Sequence, residues 1–322
     1  MGRLAGLILA GAGAFLIMLA IVMPVYITSQ FIEFPLNEYQ STTLTATGAS
    51  YFSPVKLTEI TGADLRATYT IKGDAAAGDG STAVWDEFAY IYDTTNELAV
   101  QPMTRVLAFN RRTAELVPCC GESINGKPVV QSGVAGIVFP VRTGKHTYQV
   151  FDPTLDQPVP FTYAGPAKVD GIGVYEFVSD IAPRDIGYTP LSATEPEFYS
   201  MHQEYWVDPE TGAVLKIAEH EDEYLAAGAS APGSSGVPGP AVTVFDADLT
   251  TTPATVASLV SADRPGRARV RLLNVVLPLF LGGAGVLLLA AGVLLARRPG
   301  PDVTEPEIDP DATEPEIDPD DA

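Results

Sequence analysis

Two long apolar runs lie near the two ends of the chain. No charged side chain occurs from Leu4 to Ile32, and none occurs from Leu272 to Ala296. At a rise of about 1.5 Å per residue, a helix of about twenty residues crosses a hydrocarbon core that is about 30 Å thick. The pattern therefore predicts two transmembrane helices, an N-terminal one over residues 1–26 and a C-terminal one over residues 272–296.

The first apolar run is longer than the core of about 7–15 residues that is typical of a cleaved signal peptide. No small-x-small cleavage site follows it before Phe31. We therefore interpret this run as a retained signal-anchor rather than a signal peptide.

Both apolar runs are rich in small residues. The first contains Gly6, Ala10 and Gly13, and the second contains glycine and alanine at 282–285 and 290–292. Small residues let lipid-embedded helices approach closely, because association there depends on packing rather than on hydrophobicity. The pattern predicts that the two helices pack as a hairpin, and the same faces could join copies of the chain into an oligomer. The alternative is the ordinary glycine and alanine usage of membrane helices.

The flanking arginines predict an orientation. Arg3 precedes the first run and Arg297–Arg298 follow the second, which favours a cytoplasmic location for both termini. The chain would then be a double-pass protein of the plasma membrane with a large extracytoplasmic domain. Arg264, Arg267, Arg269 and Arg271 argue for the opposite orientation. We expect the first helix to decide, because long domains translocate largely regardless of their charge.

Between the apolar runs the pattern is that of β-strands. Residues 64–72 alternate between apolar and polar side chains, and residues 84–93 are rich in aromatic side chains. Residues 202–224 form the clearest hairpin pattern, because Asp208-Pro-Glu-Thr-Gly212 supplies turn residues between two strand-like segments. Residues 165–178 predict another strand–turn–strand unit. The predicted fold class is mainly β, with an antiparallel ectodomain of short strands over residues 27–271.

Three further segments have distinct compositions. Residues 226–240 are rich in Gly, Ser, Ala and Pro and predict a flexible loop. Thr252-Pro253 is typical of a helix start and predicts a short juxtamembrane helix over residues 253–262. Residues 297–322 repeat a pattern of proline and acidic residues, which predicts a disordered acidic tail.

The net charge restricts the classes of partner. The chain has 40 acidic and 19 basic residues, giving a net charge of −21. Nucleic acid is excluded as a partner by this sign, because its binding depends on neutralising phosphates. We interpret the acidity as a soluble, self-repelling surface, with adaptation to cations or high salt as the alternative.

No stretch predicts catalytic, cofactor-binding or metal-binding residues, and we predict no cofactor and no enzymatic activity. Residues 121–127 fit the first seven positions of a phosphate-binding loop, but Pro128 stands where Ser or Thr is needed, which favours a glycine turn between strands. Glu219, Glu221 and Glu223 fall on one face of a strand. They could bind a divalent cation, but a charged, solvated edge strand is the favoured interpretation.

The pair Cys119-Cys120 contains both cysteines of the chain. Outside the cytoplasm the two residues could form a strained vicinal disulfide, pair with another chain, or remain as two small apolar side chains. A redox-active thiol would need an activating base, and none is visible nearby. We predict a structural role, with a vicinal disulfide as one form of it.

Several stretches together resemble the PorA porin family of actinobacterial envelopes. The resemblance covers roughly residues 1–298 and is carried by Ala83-Val-Trp-Asp86, Phe109-Asn-Arg-Arg-Thr-Ala-Glu115, Cys119-Cys-Gly-Glu122 and Phe139-Pro-Val-Arg-Thr-Gly-Lys145. It implies a membrane-anchored envelope protein whose two transmembrane helices flank a β-rich domain. The function of the family is largely unknown, and channel formation is attributed to one branch. Asn110 departs from the family pattern, in which an acidic residue is expected before the arginine pair.

These observations lead to two functional hypotheses. The first is a non-enzymatic envelope protein whose β-rich ectodomain binds or relays a ligand such as lipid or cell-wall material. The alternative is an oligomeric channel, as the resemblance implies. A cavity inside the β domain is expected for the first hypothesis, and a solid core would argue against it.

Overall fold

The computed structural model of the chain describes residues 2–27, 32–226 and 240–297. It divides into two compact units, a helical unit made of residues up to Met23 and from Leu277 onwards, and a β unit over Pro24–Val276. Most of the predicted flexible loop (residues 227–239) and most of the predicted tail (residues 298–322) lie outside the described residues.

The described helical elements are grouped at the two ends of the chain. The α-helices are α1 (Gly2–Val22), α2 (Pro253–Arg271) and α3 (Leu277–Ala296), and π-helical segments at Met23–Ile27 and Leu272–Val276 follow α1 and precede α3. Two stretches are long and apolar enough to cross a membrane, Leu4–Val22 and the helical run Pro253–Ala296. The first stretch lies within the predicted segment 1–26, and the second contains the predicted segment 272–296.

Helices α1 and α3 contact each other through glycines. A Cβ atom added to Gly13 would lie 2.5 Å from the backbone nitrogen of Leu289, and one added to Gly6 would lie 2.7 Å from that of Ala296. Such a distance is too short for a side chain, so only glycine permits this approach of the two backbones. The predicted packing of the two apolar runs is confirmed.

We expect Gly13→Val to destabilise the helical unit by about 1–3 kcal/mol, because the added methyl groups force the two backbones apart. Gly11→Val is the matched control on the same helix, since a Cβ atom on Gly11 meets nothing within 4 Å. Thermal unfolding of the full-length variants in one detergent measures the difference. Equal unfolding temperatures for the two variants would contradict this packing.

Helix α2 is longer than predicted. It begins as expected, since the side chain of Thr252 accepts a hydrogen bond from the Thr255 backbone N–H, but it continues to Arg271 rather than ending at residue 262. The prediction was wrong because it ignored long-range ion pairs. The guanidinium of Arg267 binds Asp208 and Glu210 of the β unit, and these contacts stabilise the helix beyond its internal proline.

The described residues of the β unit form twelve strands. They are β1 (Tyr39–Ser53), β2 (Thr58–Gly73), β3 (Thr82–Asp93), β4 (Leu98–Asn110), β5 (Ser123–Ile124), β6 (Lys127–Pro128), β7 (Tyr148–Asp152), β8 (Gln157–Val169), β9 (Ile172–Thr189), β10 (Ser192–Val207), β11 (Val214–Ala226) and β12 (Pro240–Thr251). The predicted hairpin at 202–224 corresponds to β10 and β11, in which His202 pairs with His220.

All twelve strands form one antiparallel sheet in the order β6-β5-β4-β3-β2-β1-β12-β11-β10-β9-β8-β7. The predicted fold class, mainly β and antiparallel, is confirmed. The expectation of short strands was wrong, since β9 has 18 residues and β10 has 16. Register shifts interrupt several pairings, including β1 with β2 and β9 with β10. Such irregularities bend long strands and increase their twist.

The sheet is curled, and the connection 111–138 links strands near its two ends. Leu116 bridges to Phe109 of β4, Glu115 bridges to Val134, and Val134 bridges to Val150 of β7. Since β4 and β7 lie near opposite ends of the strand order, these bridges close the curved sheet around an interior. The curl determines the position of the candidate site.

Several turns of the sheet share a five-residue pattern. The first side chain accepts hydrogen bonds from backbone N–H groups two and three residues later, as Asp93, Asn110 and Asp152 do at 2.8–3.1 Å. The fifth residue has a positive φ, which Asp and Asn turns commonly require. These fifth residues are Glu97 (φ 55°), Ala114 (φ 54°) and Asp156 (φ 52°).

This turn pattern accounts for Asn110, where the family resemblance led us to expect an acidic residue. The Asn110 side-chain oxygen accepts from the backbone N–H groups of Arg112 and Thr113, which an aspartate could equally do. The ion-pair partner of the two arginines is a different residue, since Arg111 and Arg112 both form ion pairs with Glu33. Position 110 therefore caps a turn and needs no charge.

Candidate functional site

The interior of the curled sheet contains a cavity of about 180 Å³, which we call the inner cavity. Side chains of strands β1–β4, β7, β8, β10 and β11 line it, together with the connection around residue 136. Most of its walls are apolar, and they include Ile71, Ile91, Met103, Phe161 and Ile217. A concave, mostly apolar space with a few polar groups is the usual form of a small-molecule site.

The acidic face of β11 points into this interior. Glu219, Glu221 and Glu223 are buried, with at most 8% of each residue exposed, and the first two line the inner cavity. The predicted common face of these residues is correct, but the favoured interpretation as a solvated edge strand is wrong. Strand β11 is paired on both sides, by β10 and β12, so it is not an edge of the sheet.

Tyrosines and a glutamine hold two of the interior carboxylates. The Tyr69 hydroxyl donates to Glu219 at 3.0 Å, and Gln203 donates to the other oxygen of Glu219 at 3.4 Å. The Tyr199 hydroxyl donates to Asp152 at 3.0 Å. Burial raises the pKa of Asp152 and of Glu219, because the low-polarity interior disfavours their charged forms.

Glu221 and Glu223 are neighbouring buried carboxyl groups on the same face of β11. Burial raises the pKa of Glu221 well above its usual range, and the neighbouring Glu223 and Glu219 carboxylates raise it further. Burial, with the nearby charge of Glu197, also raises the pKa of Glu223 to about 7. A hydrogen bond between the two carboxyl groups raises the pKa of Glu221 further and lowers that of Glu223.

Arg105 is the buried cation of the inner cavity. Its guanidinium contacts Glu87 at 3.4 Å, Gln131 at 2.7 Å and the Ala135 carbonyl at 3.3 Å, and it lies 5.3 Å from the centre of the Phe151 ring. Only 3% of the residue is exposed. Its Nη2 atom has no hydrogen-bond partner within the part of the chain that the structure describes.

This arrangement suits a ligand that carries both hydrogen-bond donors and an acceptor. Around the inner cavity, the oxygens of Asp152 and Glu219 already accept hydrogen bonds from protein donors but can accept more, since a carboxylate offers about four lone-pair sites, whereas the Arg105 Nη2 atom lacks an acceptor among the described residues. The apolar walls suit a hydrocarbon part. No group of three or more His, Cys, Asp and Glu side chains in the described ranges is arranged to hold a metal ion.

Our sequence analysis missed Arg105, Glu87 and Asp152. The alternation of side chains along a strand could have identified the first two. Arg105 lies on the same face of the sheet as buried Leu107, and Glu87 lies on the same face as buried Trp85. A charged residue at an inward position of an apolar strand is therefore a site candidate. No comparable signal exists for Asp152, because its position also fits a turn.

Two other motifs of the sequence analysis, residues 121–128 and the cysteine pair, do not belong to the lining of the inner cavity. Residues 121–128 contain the β5–β6 hairpin, whose turn residues Asn125 and Gly126 have φ values of 49° and 74°. Cys119 and Cys120 are joined by a vicinal disulfide in the preceding loop, and neither belongs to the described lining of the cavity. The hairpin form agrees with the interpretation of this stretch as a turn.

A β domain that is flanked in sequence by two apolar helices of membrane-spanning length defines a membrane protein. A family profile described as Porin PorA matches residues 5–294, and the chain therefore belongs to the PorA family. This result confirms the resemblance and suggests a porin-like role. A search of curated proteins gives no significant match.

We expect Glu223→Gln to flatten the pH dependence of stability. The folded pKa of about 7 lies above the ordinary pKa of a glutamate, so the folded state binds more protons and the wild type loses stability as pH rises through this window. An amide cannot ionise, and the variant should gain roughly 1–3 kcal/mol over the wild type at alkaline pH.

Unfolding of the full-length chain in detergent at several pH values measures this effect. Glu59→Gln is the control, because Glu59 is an exposed acid on β2 with no interior contact. Parallel stability curves for wild type and Glu223→Gln would show that this carboxyl group is not buried as described.

Proposed function

We propose that the β domain binds one amphiphilic molecule taken from the membrane, and that the protein is a non-enzymatic component of the cell envelope. The observation that carries this proposal is the inner cavity, in which apolar walls surround buried carboxyl groups and one arginine. Such a mixed lining favours a ligand with a hydrocarbon part and a compact polar head.

The proposed ligand class follows from the hydrogen-bonding groups. A head with hydroxyl or ammonium groups can donate to the lone pairs that the carboxyl oxygens of Asp152 and Glu219 keep beside their hydrogen bonds to the protein. A phosphate or carbonyl oxygen on the same head supplies the acceptor for the Arg105 Nη2 atom. Phospholipids with hydroxyl or ammonium heads contain all of these groups, whereas a choline head contains no donor.

We also propose that the β domain lies outside the cytoplasm and that both termini lie inside it, in the plasma membrane. Arg3 and Arg297–Arg298 support this orientation. Two of the four opposing arginines have contacts in the β unit, since Arg267 binds Asp208 and Arg271 lies 3.7 Å from Glu210. These contacts give those arginines a role in the fold as well as in membrane insertion.

We expect the full-length chain to retain phosphatidylglycerol and phosphatidylethanolamine, but not phosphatidylcholine with the same acyl chains. Ala89→Trp should weaken this retention roughly tenfold, or by about 1.4 kcal/mol, because the indole fills the inner cavity. Native mass spectrometry of the chain released from detergent counts the bound lipid. The ratio of bound phosphatidylglycerol to bound phosphatidylethanolamine shows whether the site prefers a hydroxyl head or an ammonium head.

Ala99→Trp is the matched control, because Ala99 is exposed on β4 whereas Ala89 is buried in the cavity wall. Equal retention by both variants would place the lipid outside the inner cavity. Equal retention of all three lipids would refute recognition of the head group.

The family description supports an oligomeric channel as a second candidate. The described strands favour a water-soluble domain over a lipid-spanning barrel, because the outer face of β2 exposes charged side chains such as Glu59, Arg66 and Lys72. We therefore expect no conductance from the full-length chain in planar bilayers. Conductance that depends on protein concentration and disappears with Ala89→Trp would favour the channel instead.

A further inference from the structure

A second cavity, of about 200 Å³, adjoins the inner cavity. We call it the outer cavity. Gln40, Ile71, Ile137 and Val214 line both cavities, so they form a shared wall between them. Three of these four side chains are aliphatic, and a hydrocarbon chain can pass such a wall without losing polar contacts.

The outer cavity is built by the two segments that lead to the apolar helices. Ile32–Pro35 belongs to its lining and follows the π-helical segment that ends at Ile27. On the other side, α2 contributes five lining residues between Leu259 and Arg269. Arg269 precedes Leu277, the first residue of α3, by about two helical turns. The lining of this cavity therefore includes segments that lie close, along the chain, to both α1 and α3.

Apolar groups dominate the walls of the outer cavity, which also contain three acidic side chains, Glu33, Glu38 and Asp263. Glu33 forms an ion pair with Arg111 at 2.9 Å, and Asp263 accepts a hydrogen bond from the Thr211 hydroxyl at 2.6 Å. Arg269 is exposed and has no ion pair among the residues that the structure describes. Its charge is thus available to lipid phosphates.

We infer that the outer cavity is the entrance for lipid, and that it holds the acyl chain of the molecule whose head occupies the inner cavity. This inference rests on the proposed function and adds the path and the orientation of the ligand. The head belongs in the inner cavity because the carboxyl groups and Arg105 lie there. The chain then passes Ile137 and Val214 and leaves the domain beside the segments that connect to the apolar helices.

Trp85 provides a direct probe of the outer cavity. It lines this cavity with 2% of its surface exposed, and the chain contains one other tryptophan, Trp206. We therefore place the full-length Trp206→Phe variant in phosphatidylcholine vesicles that also contain phosphatidylglycerol. Only the phosphatidylglycerol carries bromine on its acyl chains. Bromine quenches tryptophan fluorescence at contact range, so an acyl chain in the outer cavity should quench Trp85.

Two further substitutions test the path. Ala262→Phe narrows the cavity at α2, and we expect it to abolish most of the quenching. Ala257→Phe makes the same change at an exposed position of α2 that does not line the outer cavity, and the quenching should remain. Quenching that persists in the Ala262→Phe variant would show that bromine reaches Trp85 by another way and would overturn the inference.

Lipid retention separates this inference from the proposed function. If the Trp206→Phe chain retains phosphatidylglycerol in native mass spectrometry while Trp85 is not quenched, the entrance is elsewhere and the proposed function stands. If the chain retains no phosphatidylglycerol, the proposed function fails and the inference fails with it.

Discussion

The contacts of the Arg105 guanidinium join parts of the sheet that lie near opposite ends of the strand order. Arg105 lies on β4, its partners Gln131 and Ala135 lie in the connection 111–138, and Phe151 lies on β7. A buried cation is tolerated only when its partners compensate for the loss of water. The curl of the sheet, and therefore the interior, depends on these compensating contacts remaining in place.

The interior carboxyl groups reduce the stability of the fold, which indicates that these positions serve another purpose than stability. Burial raises the pKa of Asp152, Glu219 and Glu221, which means that the fold disfavours their charged forms. Apolar side chains at these positions would satisfy the rules of a stable core better. Departures from such rules are expected where a site is maintained for binding rather than for stability.

Much of the architecture follows from local patterns in the sequence, whereas the site does not. The apolar helices and the hairpin at 202–224 are encoded by periodicity and turn residues within short windows. The burial of β11 depends on its pairing with β12, and the end of α2 depends on the ion pair between Arg267 and Asp208. Such contacts join residues that are far apart in sequence, and a pattern read along a single chain does not contain them.

The first strand of the β domain, β1, pairs with the last, β12, and this pairing affects how the sequence of such a protein can change in evolution. Leu44 near the start of β1 pairs with Thr251 at the end of β12, so the β domain begins and ends at one place in the middle of its sheet. The domain is thus an insertion between the two halves of a helical hairpin. Since an insertion whose ends meet imposes little strain on its host, the membrane helices and the soluble domain are free to change at different rates in evolution.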